Sequence, residues 1–291
     1  MTTQRKADMA LVLVTMCWGI SYFLMDLCLE EMDPFTLNAY RFLGAFVIAG
    51  IVSFPRLRSV NRITLKYALF VGMALTVVYI GCTFGVRYTS QSNAGFLCAM
   101  TVVFTPILAF VFKKVVPEKK LALVVAMCVA GIALMSLNEQ LQVASGDILC
   151  LMCAFAYAFD LLITEHAVAH EEVDAYQLGV FQLMFCGIFM LILAVLFEQP
   201  CLPSSGMGWF GVIFLSIFCT GVSFIAQSVA QQYTTSTHVG VIFCLEPVFA
   251  GIVAFFLAGE VLLPRAYFGA VLMLAGLVIM EVDLPRLSRG E

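Results

Sequence analysis

Ten stretches of about twenty almost unbroken apolar residues follow one another along this chain, at 8–29, 35–54, 65–86, 92–113, 119–138, 146–165, 175–197, 207–230, 237–258 and 264–283. A helix that crosses the hydrocarbon of a bilayer needs roughly that length, and it satisfies its own backbone hydrogen bonds where no water can. The other structure able to cross, a closed barrel, needs strands of about ten residues that alternate apolar and polar. Residues 121–137 are apolar on every face, so a barrel is excluded. Composition agrees: 62% of the 291 residues are hydrophobic and 12% charged, against about 45–50% and 25% in soluble domains. So little charge cannot cover a water-facing surface, which excludes a soluble enzyme, a nucleic-acid binder and a disordered chain. The links carry Pro34, Pro55, Pro117, Pro200, Pro203 and Pro264, where a missing backbone N–H does little harm, and none has room for a soluble domain. Arg5 and Lys6 imitate the start of a signal peptide. No small-residue cleavage site comes after them, and the first apolar run is long enough to span, so it reads as a retained first helix.

Lysine and arginine set the expected orientation. With the amino terminus in the cytosol, the cytosolic side holds Arg5, Lys6, Arg56, Arg58, Arg62, Lys66, Lys113, Lys114, Lys119, Lys120, Arg286 and Arg289. The outer side holds Arg87 and Arg265, and Arg41 falls within the second run. The links after the sixth and eighth runs carry neither residue type, so the first half of the chain decides the topology. Nearly all of the eleven cysteines lie inside apolar runs, where they read as small reduced hydrophobes. Cys150 and Cys153 have metal or redox spacing without a His or acidic partner beside them, so no metal and no cofactor is expected; Cys201 reads as an exposed thiol in an outer link.

The chain also repeats itself. Shifted by 145 positions, Tyr88-Thr89 falls on Tyr233-Thr234, Gly95 on Gly240, Ala109-Phe110 on Ala254-Phe255, Gly131 on Gly276 and Met135 on Met280. Gly81 and Gly85 fall on Ala226 and Ala230 in the same register. Slightly smaller shifts bring Trp18 onto Tyr157 and Arg41-Phe42 onto Gln182-Leu183. The repeat divides the chain into two units, 1–140 and 141–291, each of five runs. Five is odd, so the second copy must enter the bilayer upside down. The expected fold is therefore all-α and integral to the membrane, with ten transmembrane helices as two inverted five-helix repeats. Inverted repeats give secondary transporters two near-equivalent conformations, each open to one side around a midplane site.

Trp18-Gly19 in the first run, Arg41-Phe42 in the second and Leu245-Glu246-Pro247-Val248-Phe249-Ala250 in the ninth resemble the EamA family of the drug/metabolite transporter superfamily. So do Leu257-Ala258-Gly259-Glu260, Gly269 and Gly276 toward the carboxyl end. The resemblance covers essentially the whole chain and is strongest over 233–280. It implies ten helices, both termini in the cytosol, and a central cavity lined mainly by runs 1, 3, 4, 6, 8 and 9. It also implies movement of a small metabolite, often outward. The first repeat departs from the pattern, with Val115 where the second has Glu260 and Val102 where it has Pro247.

Polar residues within the hydrocarbon are costly and therefore informative. Glu246 is the deepest, and it reads either as a proton-coupling or amine-binding carboxylate or as an anchor of the kink at Pro247. His238, near the cytosolic start of the ninth run, reads as a proton relay or as a water-capped helix end. Asp160 either meets a cationic group or reaches to water nearby. Arg41 and Asp26 lie at similar depth and are expected to pair, the alternative being that Arg41 meets an anionic substrate. Trp18, Ser21 and Tyr22 in the first run and Tyr157 in the sixth form a candidate substrate wall, with Tyr79, Asn93 and Gln227 as further candidates. Gly81 and Gly85 read as a close helix contact. His166 and His170 have zinc-like spacing, but they lack the rest of a hydrolytic motif and read as a solvated helix end.

No P-loop and no converging catalytic group occurs, so the expected function is non-catalytic and not driven by ATP. The leading expectation is a secondary transporter that exports a small polar metabolite such as an amino acid. A multidrug exporter of lipophilic cations is the near alternative, and a non-transporting membrane subunit the remoter one. Expected partners are the substrate, the lipid bilayer and protons, without nucleic acid, in a monomer or homodimer. The absence of an Asn-x-Ser/Thr sequon agrees with a bacterial inner membrane.

Overall fold

The computed structural model of the protein describes residues 3–89, 91–114, 119–136, 145–257 and 264–281, and no strand occurs among them. The chain begins with α1 (Thr3–Leu29), α2 (Pro34–Val52), the single turn α3 (Phe54–Leu57) and α4 (Arg62–Tyr88). A divided helix comes next, α5 (Gln91–Ala99) and α6 (Thr101–Lys113), and then α7 (Lys119–Ser136). The second half opens with α8 (Ser145–Val168), α9 (Ala175–Phe197) and α10 (Gly206–Phe214), the last leading through a π-helical segment, Leu215–Val222, into α11 (Ser223–Ala230). The chain then forms α12 (Ser236–Phe243), α13 (Glu246–Leu257) and α14 (Pro264–Glu281). Over its described residues, each of the ten apolar runs is largely helical. Seven stretches are long and apolar enough to cross a membrane, counting Gly206–Ala230 and Ser236–Leu257 as one each, and Leu97–Lys113 and Tyr267–Ile279 are shorter apolar helices. Residues Val115 and Glu260, the junction at 140/141 and the arginines at 286 and 289 lie outside the described residues.

Local chemistry starts the helices where the apolar runs begin. Asn61, Asp174, Ser205 and Thr235 each accept a backbone N–H from the first turn of the adjoining helix, satisfying donors a helix start would otherwise leave orphaned. Outward faces carry Ile51, Val195, Phe197 and Phe256, all exposed, an apolar surface suited to acyl chains.

Polar contacts are confined largely to the two ends of the bundle. At one end Arg56 binds Asp174 at 2.8 Å, Lys113 binds Glu165 at 2.6 Å, and Glu165 accepts the Ser236 N–H at 2.8 Å. At the other, Arg87 meets Asp33 at 2.9 Å, and Glu198 accepts the N–H groups of Phe35 and Thr36. Glu31 clasps the turn before α10, where the Ser205 hydroxyl, the Ser205 and Ser204 N–H groups and the Ser204 hydroxyl hold its carboxyl down to about 2.

Two helices are interrupted halfway, and in the same manner. At the first break Met100 N–H donates to Leu97, and Val103 and Phe104 donate to Met100. At the second Leu245 N–H donates to Ile242, and Val248 and Phe249 donate to Leu245. Both breaks thus tighten into a turn that keeps most of the backbone paired.

Close approach of α4 to α8 depends on absent side chains. A Cβ on Gly81 would lie 2.6 Å from the Leu149 carbonyl oxygen and 2.9 Å from Cys153 Cβ, whereas one on Gly50 would meet nothing within 4 Å. The expected close contact at Gly81 is therefore present. Gly81→Leu should cost at least the ~1–3 kcal/mol of an overpacked core, visible as a lower melting midpoint and yield in detergent, while Gly50→Leu should leave both unchanged. A normal midpoint for the Gly81 variant would contradict the packing account.

Candidate functional site

The α1 backbone reaches α13 because residue 19 is glycine: a Cβ there would lie 2.6 Å from Phe249 Cβ. That approach brings Trp18 to the centre of the bundle. Its indole Nε1 donates to the Cys219 carbonyl, 3.0 Å away in the π-helical segment, and the ring packs against Phe243, Phe224 and Tyr157 at 4.8, 5.4 and 5.8 Å between centroids. Tyr157 stacks on Phe243, and its hydroxyl donates to Gln227 Oε1 at 2.8 Å. Gln227 in turn donates to Gln231 at 3.3 Å, and Gln231 to the Leu161 carbonyl at 2.9 Å. This relay fixes the aromatic wall from behind.

The wall encloses a central cavity of about 50 Å³, room for a few waters. Of the candidate residues, Trp18, Ser21, Tyr22, Tyr79, Tyr157 and Glu246 all line it. The lining comes from α1, α4, α5, α6, α8, α11, α12 and α13, which correspond to runs 1, 3, 4, 6, 8 and 9. Glu246 opens α13 directly after the second break, where the N-terminal end of the half-helix dipole favours a carboxylate. Tyr22 is its polar neighbour.

Four other candidates sit elsewhere or are described less fully. Gln227 supports Tyr157 from outside the cavity. Asp160 is fully buried one turn beyond Tyr157; Gln227 is its polar neighbour, yet both carboxylate oxygens lack a hydrogen-bond partner. No cationic group among the described residues meets it. His238 lies at the end of the bundle, its Nε2 3.5 Å from Asp8 Oδ1 on α1. Of Asn93 the backbone alone is described. His166 and His170 pack around half-buried Tyr67, with His170 Nε2 2.8 Å from its hydroxyl, and the described residues bring no third ligand to them.

The expected pairing of Arg41 with Asp26 is not formed. Asp26 is exposed, whereas Arg41 is completely buried. Arg41 Nε donates to the Thr220 hydroxyl at 2.9 Å, Nη1 approaches Met25 Sδ at 3.2 Å, and the guanidinium lies 4.8 Å over the Tyr79 ring. Its Nη2 has no partner. The charge thus sits directly behind two residues that line the cavity, Met25 and Tyr79.

Several cavity residues that sequence reasoning missed were legible as helical neighbours of those it found. Met25 follows Tyr22 by three positions, Cys82 follows Tyr79 by three, Cys153 precedes Tyr157 by four and Phe243 precedes Glu246 by three. Cys98, on a helix with no described candidate side chain, had no such signal.

Comparison with known proteins places this architecture. The profile of the EamA-like transporter family matches residues 5–137 and again 144–282. An uncharacterized transporter of Archaeoglobus fulgidus is 28% identical over 95% of this chain and 86% of its own length. A probable amino-acid metabolite efflux pump of Salmonella typhimurium is 26% identical over 94% of each. One solved crystal structure superposes with a TM-score of 0.80 over 95% of this chain and 96% of that one; at 13% identity the likeness concerns the fold alone.

Removing the Tyr157 hydroxyl should leave the buried Gln227 oxygen unpaired. Tyr157→Phe is therefore expected to destabilise by about 1–3 kcal/mol, read as a lower midpoint of thermal unfolding. An unchanged midpoint would mean that the relay does not brace the wall.

Proposed function

Because this chain belongs to the EamA-like transporter family, we propose that it exports a small amino-acid-like metabolite by alternating access through the central cavity, without ATP and without catalysis. Glu246 carries this reading. It is the single carboxylate among the described lining residues, at the broken midpoint of a helix and beside Tyr22. In a low-dielectric site a carboxylate is the natural partner of a primary ammonium group, and the aromatic faces around it add cation–π attraction. Arg41, behind Met25 and Tyr79, supplies the opposite sign. A substrate with both charges matches this field, whereas a lipophilic cation is favoured by Glu246 alone and repelled by Arg41.

Ten crossings arranged as two inverted repeats, 1–140 and 141–291, supply the alternation. The family profile matching two successive stretches supports this arrangement. So do the breaks at Met100 and Leu245, which are 145 positions apart and share one hydrogen-bond pattern. The end that holds Asp8–His238 and Lys113–Glu165 faces the cytosol, together with both termini, in a bacterial inner membrane. These pairs close the cavity on that side. Protons move against substrate through Glu246, and rearrangement of the His238–Asp8 contact accompanies opening.

Glu246→Gln is expected to fold and insert normally but to lose the pH dependence of amino-acid transport in reconstituted vesicles. Transport that keeps its pH dependence in this variant would return Glu246 to the role of helix-break anchor.

A further inference from the structure

The same cavity contains a chemistry that amine transport does not use. Cys82 of α4, Cys98 of α5 and Cys153 of α8 converge so that their three Sγ atoms lie within 4.8 Å of one another. All three line the cavity, and the Met25 thioether lines it too. Thiols that merely filled a core would face packed side chains; these face free volume. We propose that the three cysteines form a binding site for a soft monovalent metal ion of the Cu(I) type.

Geometry and ligand type both favour this class. Metal–sulfur bonds of about 2.3 Å in a three-coordinate plane place the sulfurs about 4 Å apart, which the cluster reaches by small side-chain movements. Soft thiolate and thioether ligands select Cu(I), whereas Zn(II) prefers four ligands in a tetrahedron and magnesium or calcium prefers oxygen. Three helices supply one sulfur each, so the site exists only in the folded protein. A cavity of about 50 Å³ accommodates an ion as it stands. Binding releases protons, because the thiolate is the ligating form. One Cu(I) ion displaces the protons of all three thiols to solvent, and a complex of charge −2 remains. The buried Arg41 guanidinium behind Met25 and Tyr79 stands close by and offsets part of it. No oxidation or reduction is involved.

The site is tested with Cu(I) alone, anaerobically, on the purified full-length protein competing against a chromophoric Cu(I) chelator. This needs no transport, so its outcome is independent of the proposed export function. One ion per chain should be withdrawn from the chelator, and Cys82→Ser and Cys98→Ser should each weaken binding at least tenfold. Cys201→Ser, an exposed cysteine outside the cluster, should bind as the unaltered protein does. X-ray absorption of the Cu(I)-loaded unaltered protein should show a first shell of three sulfurs, a readout that stands even if a cysteine variant fails to fold. No ion withdrawn, equal affinity in folded Cys82 and Cys98 variants, or a shell of fewer than three sulfurs would overturn the assignment.

Discussion

Everything in this structure depends on the need to pair backbone polar groups where there is no water. Unbroken helix meets that need alone, and irregular backbone is tolerated in a membrane only where protein or a cavity surrounds it. The three irregular places within the long helical stretches obey that rule. The turn at Met100 lies between cavity residues Ala99 and Thr101, and the turn at Cys244-Leu245 lies between cavity residues Phe243 and Glu246. The π-helical segment presents the Cys219 carbonyl to Trp18. Each departure from regular helix is thus located at the cavity or against a residue of its wall.

The charges obey the same economy. Glu246 stands at a helix start, next to Tyr22 and beside free volume. Arg41 is buried against a hydroxyl, a thioether and an aromatic face instead of an acid. Burying a charge without a counter-ion costs several kcal/mol in general, and neutral donors and a π face offset only part of that. Its retention next to the cavity makes sense if the charge acts on what enters. Asp160, buried with both oxygens unpartnered, is the second costly group, and nothing in the structure explains it.

How much of this was written in the sequence can be traced residue by residue. Apolar run length located every long helix among the described residues, since the bilayer permits little else. Trp18, Ser21, Tyr22 and Tyr79 were legible as polar or aromatic residues within long apolar runs, and all four line the cavity. Depth was harder to read. Asp160 is only one turn past Tyr157, enough to remove it from the cavity, and His238 is two turns before Glu246, at the bundle end. Gln227 eluded the reading for another reason: a π turn adds a residue and rotates the helix downstream of it by about 100°, a shift that no apolar pattern records. The meeting of Cys82, Cys98 and Cys153 depends on three helices packing together, and sequence spacing offered only Cys150 and Cys153.

The central claim is that this cavity holds a small dipolar amine against Glu246. Its most direct test is the thermal midpoint of the purified protein in the presence of amino acids, polyamines, nucleosides and lipophilic cations, compared with Glu246→Gln. A ligand present at 100 times its dissociation constant stabilises the folded state by about 2.7 kcal/mol, a measurable shift. The account predicts that amino acids raise the midpoint of the unaltered protein and leave that of the variant where it was. Equal shifts in both proteins, or shifts caused only by lipophilic cations, would contradict it.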